Sequence, residues 1–284
     1  MKAVIPAAGF GTRFLPLTKA QPKEMLPVVN KPTIQWVVEE AVDAGINDIA
    51  IITGNHKQVI ENHFRPMEQL ENALEASGKF KELERIQEIN DIANIEFIIQ
   101  EEQKGLGHAI LCAEKFVDGD SFAVLLGDTI CTGNPNCTKG LVNLFQEKQT
   151  SLFSVEEIRL EETERYGIVS GIEVEEDIML VEDLVEKPAP IDSPSLLGIQ
   201  GRYVFTSDIF NHLSKTAIGS EGEIQLTDAM KSLSKVQKMY SWTFKGKRYD
   251  IGTMDDWFRS HLELSLKSNF SSFLKEILKK ISND

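Results

Sequence analysis

Between Ala7 and Pro27 the chain reads AAGFGTRFLPLTKAQPKEMLP, and these residue types suit chemistry on a small polyanion. Ala7, Ala8, Gly9, Gly11 and Thr12 are small, so backbone N–H groups can approach phosphate oxygens without interference from Cβ atoms. Arg13 and Lys23 follow as cations. Pro22 and Pro27 stiffen the backbone around Lys23, which holds its charge in place. Two common phosphate loops are excluded. A P-loop needs Gly-x4-Gly-Lys-Ser/Thr, which is absent. A dinucleotide fingerprint needs a third glycine where Phe14 stands and a carboxylate closing the second strand, where Thr53 stands. What remains distinctive is the basic follow-through, Arg13 and then Lys23, more than the glycines.

Other candidates sit at the ends of apolar runs. Asp128 closes FAVLLGD, the strand end at which α/β proteins bind ligands, and its carboxylate is a hard oxygen donor suited to Mg²⁺. Gln100 closes IEFIIQ, five residues before Gly105, and its amide can both donate and accept. Glu186-Lys187 follows MLVEDLVE, where a solvated surface pair is the ordinary reading. His108 in GLGHA suits packing or capping better than acid–base work.

These residues need a scaffold. Lys2–Pro6, Asp48–Thr53, Ile95–Gln100 and Phe122–Leu126 read as apolar strands. The runs 34–44, 56–63 and 107–116 read as helices between them, and 67–92 as a charged helical insertion. Such alternation implies an α/β fold with a Rossmann-like, mixed but mainly parallel sheet flanked by helices. Beyond residue 150, the runs 152–158, 166–174, 179–186 and 201–205 predict a more antiparallel region, with helices at 207–213, 226–233 and 254–266. Residues 1–268 read as one domain, its halves being 1–150 and 151–252. Phe270, Phe273, Leu274, Ile277, Leu278 and Ile281 give residues 269–284 an amphipathic helix, suited to a core edge or a subunit contact.

Composition narrows the partners. Lys+Arg number 30 against 44 Asp+Glu, a net charge of −14, which disfavours nucleic acid and anionic membrane as partners. Residues 1–35 run the other way, with Lys2, Arg13, Lys19, Lys23 and Lys31 against Glu24. Cys112, Cys131 and Cys137 form no CxxC pair, Cys112 reads as a buried thiol, and a cytoplasmic protein is expected. No run approaches the ~18 apolar residues of a membrane span.

The stretches AAGFGTRFLPLTKAQPKEMLPVVNKP, ENHF, KGLGHAILCA, EKP, GRYVF and GEIQLTDA resemble the sugar-1-phosphate nucleotidyltransferases over nearly the whole chain. The insertion after ENHF resembles their uridylyltransferase branch. The resemblance implies a nucleotide-binding first half, a sugar-phosphate-binding second half and a homo-oligomer, dimer or tetramer. It implies Mg²⁺-dependent transfer of UMP from UTP to glucose 1-phosphate, without a covalent enzyme intermediate. Arg13 would clamp the triphosphate, Lys23 contact the reacting phosphates, and Asp128 and Asp250 hold the metal. Gln100 and Gly105 would meet the base. Gly167, Glu186, Gly201 and Glu223 would face the sugar, and Lys187 its phosphate. The segment after Asp250, IGTMDDW, is closer to thymidylyltransferases, so dTTP stays open as substrate. A non-catalytic sugar-nucleotide-binding subunit is the rival from another class.

Overall fold

The computed structural model of the chain describes residues 1–55, 57–219 and 222–281. Among these, nine strands form one sheet. Edge to edge they run Asn94–Ile99, Asp48–Thr53, Lys2–Pro6, Phe122–Leu125, Leu197–Phe205, Leu152–Glu157, Tyr240–Thr243, Ile178–Glu186 and Gly167–Glu175. The first four are mutually parallel. Leu197–Phe205 then pairs antiparallel on both sides, and the far edge is an antiparallel ribbon. The sheet therefore changes character across its width, as the sequence pattern implies, while staying continuous across residue 150.

The three inner parallel strands are mostly apolar because both faces are covered, whereas the edge strand Asn94–Ile99 is only partly buried, with Glu96 exposed. Val4, Ala50, Ile52 and Val124 enter one core cluster, while their neighbours Ala3, Ile5, Ile49, Ile51, Ala123 and Leu125 enter the other. Burying each larger aliphatic side chain contributes roughly 1.5–3 kcal/mol. Helix Thr33–Asp43 packs on the second face through Ile34, Val37, Val38 and Ala41, which recur at helical spacing and are wholly buried. The antiparallel ribbon instead ends in solvent, with Glu173, Val174 and Glu175 exposed.

Several expectations need adjustment. The helix expected from His56 is Gln58–Phe64, and His56 itself lies outside the described residues. The 67–92 insertion is two helices, Glu68–Ala76 and Phe80–Asn90, and the 107–116 segment also divides, into Gly105–Leu111 and Glu114–Val117. Cys112 is only half-buried because it follows the end of its helix; Cys131 and Cys137 are the buried thiols. The tail forms helix Ser271–Ile281 with Phe273, Leu278 and Ile281 exposed, and residues 282–284 lie outside the described set. No described helix is long and apolar enough to cross a membrane. Elements without a counterpart in the sequence reading include strand Tyr240–Thr243, helix Cys137–Lys148, and two separate two-stranded ribbons, Thr129–Thr132 with Lys247–Asp250 and Pro27–Val28 with Lys31–Pro32.

Candidate active site

The chain passes from Lys2–Pro6 outward to Asp48–Thr53 and Asn94–Ile99, then returns to the other flank of Lys2–Pro6 as Phe122–Leu125. Strand order reverses there, and the crevice at the carboxyl ends of such strands is where open α/β sheets bind ligands. The glycine loop leaves Pro6 and Asp128 follows Leu125, so both project into this crevice mouth. Gly127 N donates to Pro6 O at 3.2 Å, tying the two strand ends together.

The loop is pinned through its own carbonyls. Lys57, 1% exposed, donates from Nζ to Ala7 O at 2.5 Å and to the buried Glu24 at 2.8 Å. Gln103 Nε2 donates to Ala8 O at 2.9 Å. Burial lowers the Lys57 pKa below the ordinary lysine value, against the opposing pull of Glu24. Gly11 takes φ +65°, and a Cβ there would stand 3.1 Å from Thr18 and 3.3 Å from Lys23, so the turn into Thr12–Phe14 favours glycine twice over.

Lys23 reaches Asp128 Oδ2 with its ammonium at 2.5 Å. Burial alone would lower the Lys23 pKa, but Asp128, Glu24 and Asp250 outweigh it and raise it above the lysine range. The Asp128 carboxyl meets the opposite balance: burial pushes it up, while Lys23 and Lys57 draw it below the usual carboxylate value. The cationic excess of residues 1–35 is therefore partly neutralised. Lys23 faces Asp128, Lys31 pairs with Glu39, and Glu24 is spent on Lys57.

The two-stranded ribbon brings Asp250 alongside. Asp250 lies in register with Thr129, and Ile251 N donates to Asp128 O at 2.8 Å. The Asp250 carboxylate accepts hydrogen bonds from Tyr166 Oη at 2.9 Å, Arg165 at 3.3 Å and Arg248 at 3.4 Å. Burial, then the Asp250 charge, pushes the Tyr166 phenol up to about 12.

Behind this ribbon lies Arg202, wholly buried. Its guanidinium pairs bidentately with Glu40 at 2.7 and 3.0 Å, and also donates to Thr129 O at 2.6 Å and Leu126 O at 3.3 Å. These two carbonyls bracket Asp128. The strand is able to turn Arg202 this way because its register with Leu152–Glu157 slips between Ile199 and Tyr203, at Gly201 with φ +90°.

Two adjoining cavities of about 470 Å³ each result. The first is lined by Ala7, Ala8, Gly9, Gln100 and Gly105; the second by Arg13, Arg165, Arg248 and Asp250. Gly11, Thr12, Lys23, Asp128 and Glu223 line both. Gln100 Nε2 donates to Gly105 O at 3.2 Å.

The residues expected around the sugar are not gathered in one place. Glu186 and Lys187 line a third cavity with Gln225, Asp228 and Lys231. Gly167 borders Glu186 and Thr227, whose hydroxyl donates to Glu186 at 2.6 Å, whereas Gly201 packs on Leu126 and Glu223 on Gly105. Lys57, Gln103, Arg165, Arg202 and Arg248 were not singled out from the sequence. Only Arg202, within the quoted GRYVF, fell in a stretch that drew notice.

The fold and this crevice define a nucleotidyltransferase. The chain belongs to that family: the nucleotidyl transferase pattern matches residues 2–266. It is 47% identical over 266 residues to the UTP–glucose-1-phosphate uridylyltransferase of Bacillus subtilis (strain 168), covering 94% of this chain and 91% of that protein. A UDP-glucose pyrophosphorylase complexed with UDP-glucose superposes with TM-score 0.86 at 41% identity, over 94% of this chain and 99% of the other. A UTP-bound enzyme of the same kind from Acinetobacter baumannii gives TM-score 0.89 at 36% identity, over 98% of each chain.

Proposed function

We propose that the chain transfers UMP from UTP to glucose 1-phosphate, giving UDP-glucose and pyrophosphate. The observation that carries this reading is the Lys23–Asp128 pair on the wall shared by two adjoining cavities. That is where an α-phosphate would stand between a nucleotide on one side and an incoming sugar phosphate on the other. A phosphate oxygen of the sugar attacks the α-phosphorus, the bond to the bridging oxygen breaks, and pyrophosphate departs with that oxygen. Such a reaction asks for positioning and charge neutralisation more than for an acid or base.

The donor set fits Mg²⁺. Asp128 and Asp250 are hard oxygen ligands held together by the ribbon, and no group of three His, Cys, Asp or Glu suited to a metal occurs among the described residues. Mg²⁺ typically takes one or two carboxylates and fills its shell with phosphate oxygens and water. When bound it would neutralise charge on the transferring phosphoryl group. Arg13 and Lys23 supply fixed cations to the triphosphate, with the backbone of Ala7, Ala8, Gly9, Gly11 and Thr12 at close range. Gln100 and Gly105 meet the base. Arg165 and Arg248 add cationic groups beside Asp250. On the sugar side, Glu186 accepts from hydroxyls, Lys187 binds the sugar phosphate, and Gly167, Gly201 and Glu223 shape the approach. Residues 1–150 serve chiefly the nucleotide and 151–252 the sugar phosphate. A homo-oligomer, dimer or tetramer, belongs to the same reading, and the exposed apolar residues of helix Ser271–Ile281 support it.

The test is a matrix of UTP, dTTP, CTP, ATP and GTP against several sugar 1-phosphates with Mg²⁺, following pyrophosphate. Fastest release is expected from UTP with glucose 1-phosphate. Release from no pair would sink the reaction class, and preference for dTTP would make the chain a thymidylyltransferase.

A further inference from the structure

Gln100 is 4% exposed at the head of the first cavity, and both hydrogens of its amide are spoken for. Nε2 donates to Gly105 O at 3.2 Å and lies 2.9 Å from His108 Nδ1. A carbonyl can only accept, so it is the nitrogen of the amide that must face Gly105. His108 Nδ1 is then the acceptor for the second N–H, and the proton of the neutral ring sits on Nε2. Gly105 and His108 can both face Gln100 because they stand three residues apart on helix Gly105–Leu111, one turn above the other. The amide oxygen, Oε1, accepts no hydrogen bond from the described residues and is the group left for a ligand.

We propose that His108 is a positioning residue that sets base selectivity by fixing which end of the Gln100 amide the cavity presents. This rests on the first cavity being the nucleotide site. With Oε1 forward, the site accepts from a ring N–H, as the imide of uracil or thymine offers. It opposes the unprotonated ring nitrogen that cytosine presents at the same place. Were His108 replaced by an apolar side chain, one amide N–H would lose its partner. A buried unpaired donor is unfavourable, and that cost is relieved when the amide turns its nitrogen toward a ligand acceptor. Gly105 O resists this turn, since Oε1 would then face a carbonyl, so His108 and Gly105 share the task and loss of either relaxes it.

The test compares kcat/KM for UTP and CTP with glucose 1-phosphate in the full-length wild type, His108→Leu and His108→Gln. The UTP-to-CTP ratio is expected to fall by about tenfold in His108→Leu, equivalent to about 1.4 kcal/mol of discrimination. His108→Gln, which restores an acceptor, should retain the ratio. An unchanged ratio in His108→Leu overturns the proposal, as does an equal fall in both variants. Nitrogen-15 spectra of the histidine-labelled wild type provide a second measurement that requires no variant. The Nε2–H tautomer is expected for His108, and an Nδ1–H tautomer overturns the assignment. Calorimetric titration of the wild type with UTP separates the two readings. If UTP does not bind, it is the nucleotide assignment of the cavity that fails, whatever the His108 tautomer.

Discussion

The crevice at the parallel strand ends and the cavity beside Glu186 hold their charges in different ways. In the crevice, Lys57 with Glu24 and Arg202 with Glu40 are almost wholly buried, and Lys23 with Asp128 is about one-fifth exposed. Beside Glu186, Lys187 stands 3.6 Å from that carboxylate with its side chain 40% exposed, and Lys231–Asp183 is similarly open. Exposed pairs contribute about 0–1 kcal/mol and rearrange easily, whereas buried ones hold one geometry. The difference teaches where rigidity is needed. The groups proposed for the nucleotide phosphates are fixed before any ligand arrives, while those proposed for the sugar phosphate can adapt to it.

The largest expected effect tests the buried side. Arg202→Met should destabilise the fold by about 3–5 kcal/mol in urea denaturation, because Glu40 is left charged without its partner. Adding Glu40→Met should recover most of that loss. If Arg202→Met alone proves neutral, the rigidity attributed to this region is absent. Next comes Asp128→Asn, expected to lower kcat by about 100-fold or more while the fold is retained. Glu186→Gln should instead raise KM for glucose 1-phosphate with little change in kcat. Similar kcat losses in both variants would erase the distinction between the two regions. The smallest effect concerns His63, behind the crevice, whose Nε2 donates to Gln35 at 3.0 Å and whose pKa burial lowers from 6.5. Between the folded value and 6.5 the unfolded chain binds the extra proton, so stability should fall as pH drops through that window. His63→Gln should flatten this slope, as read from denaturation midpoints at pH 7.5 and 5.5 (about one unit either side of the ordinary value).

The parallel half was legible because its strands are continuous apolar runs, three of them buried on both faces. Gly9, Gly11 and Asp128 could therefore be placed just beyond strand ends without knowing the partners. The ribbon of Thr129–Thr132 with Lys247–Asp250 was not legible, since four-residue strands carry little periodicity and the two segments lie far apart in sequence. Helix Cys137–Lys148 was hidden by Gly140 in its first turn, a poor helix former. In the folded chain that glycine leaves room for Trp242, which a Cβ would approach to 2.4 Å. Lys57 and Arg202 were silent because a buried cation and a surface one look the same until their carboxylates are located. Glu186 and Lys187 line one cavity and Glu223 another, a division not legible in the sequence because local spacing does not tell which cavity a strand end faces.

The ribbon also sets an order of assembly. Lys23 and Asp128 belong to the first half of the chain to be synthesised, whereas Asp250 reaches them only when Lys247–Asp250 folds back along Thr129–Thr132. A nascent chain can thus form the parallel strands and the glycine loop while the carboxylate pair is still incomplete. Completion of the proposed site is coupled to completion of the fold, and an unfinished chain emerging from the ribosome lacks one of its two proposed metal-holding carboxylates.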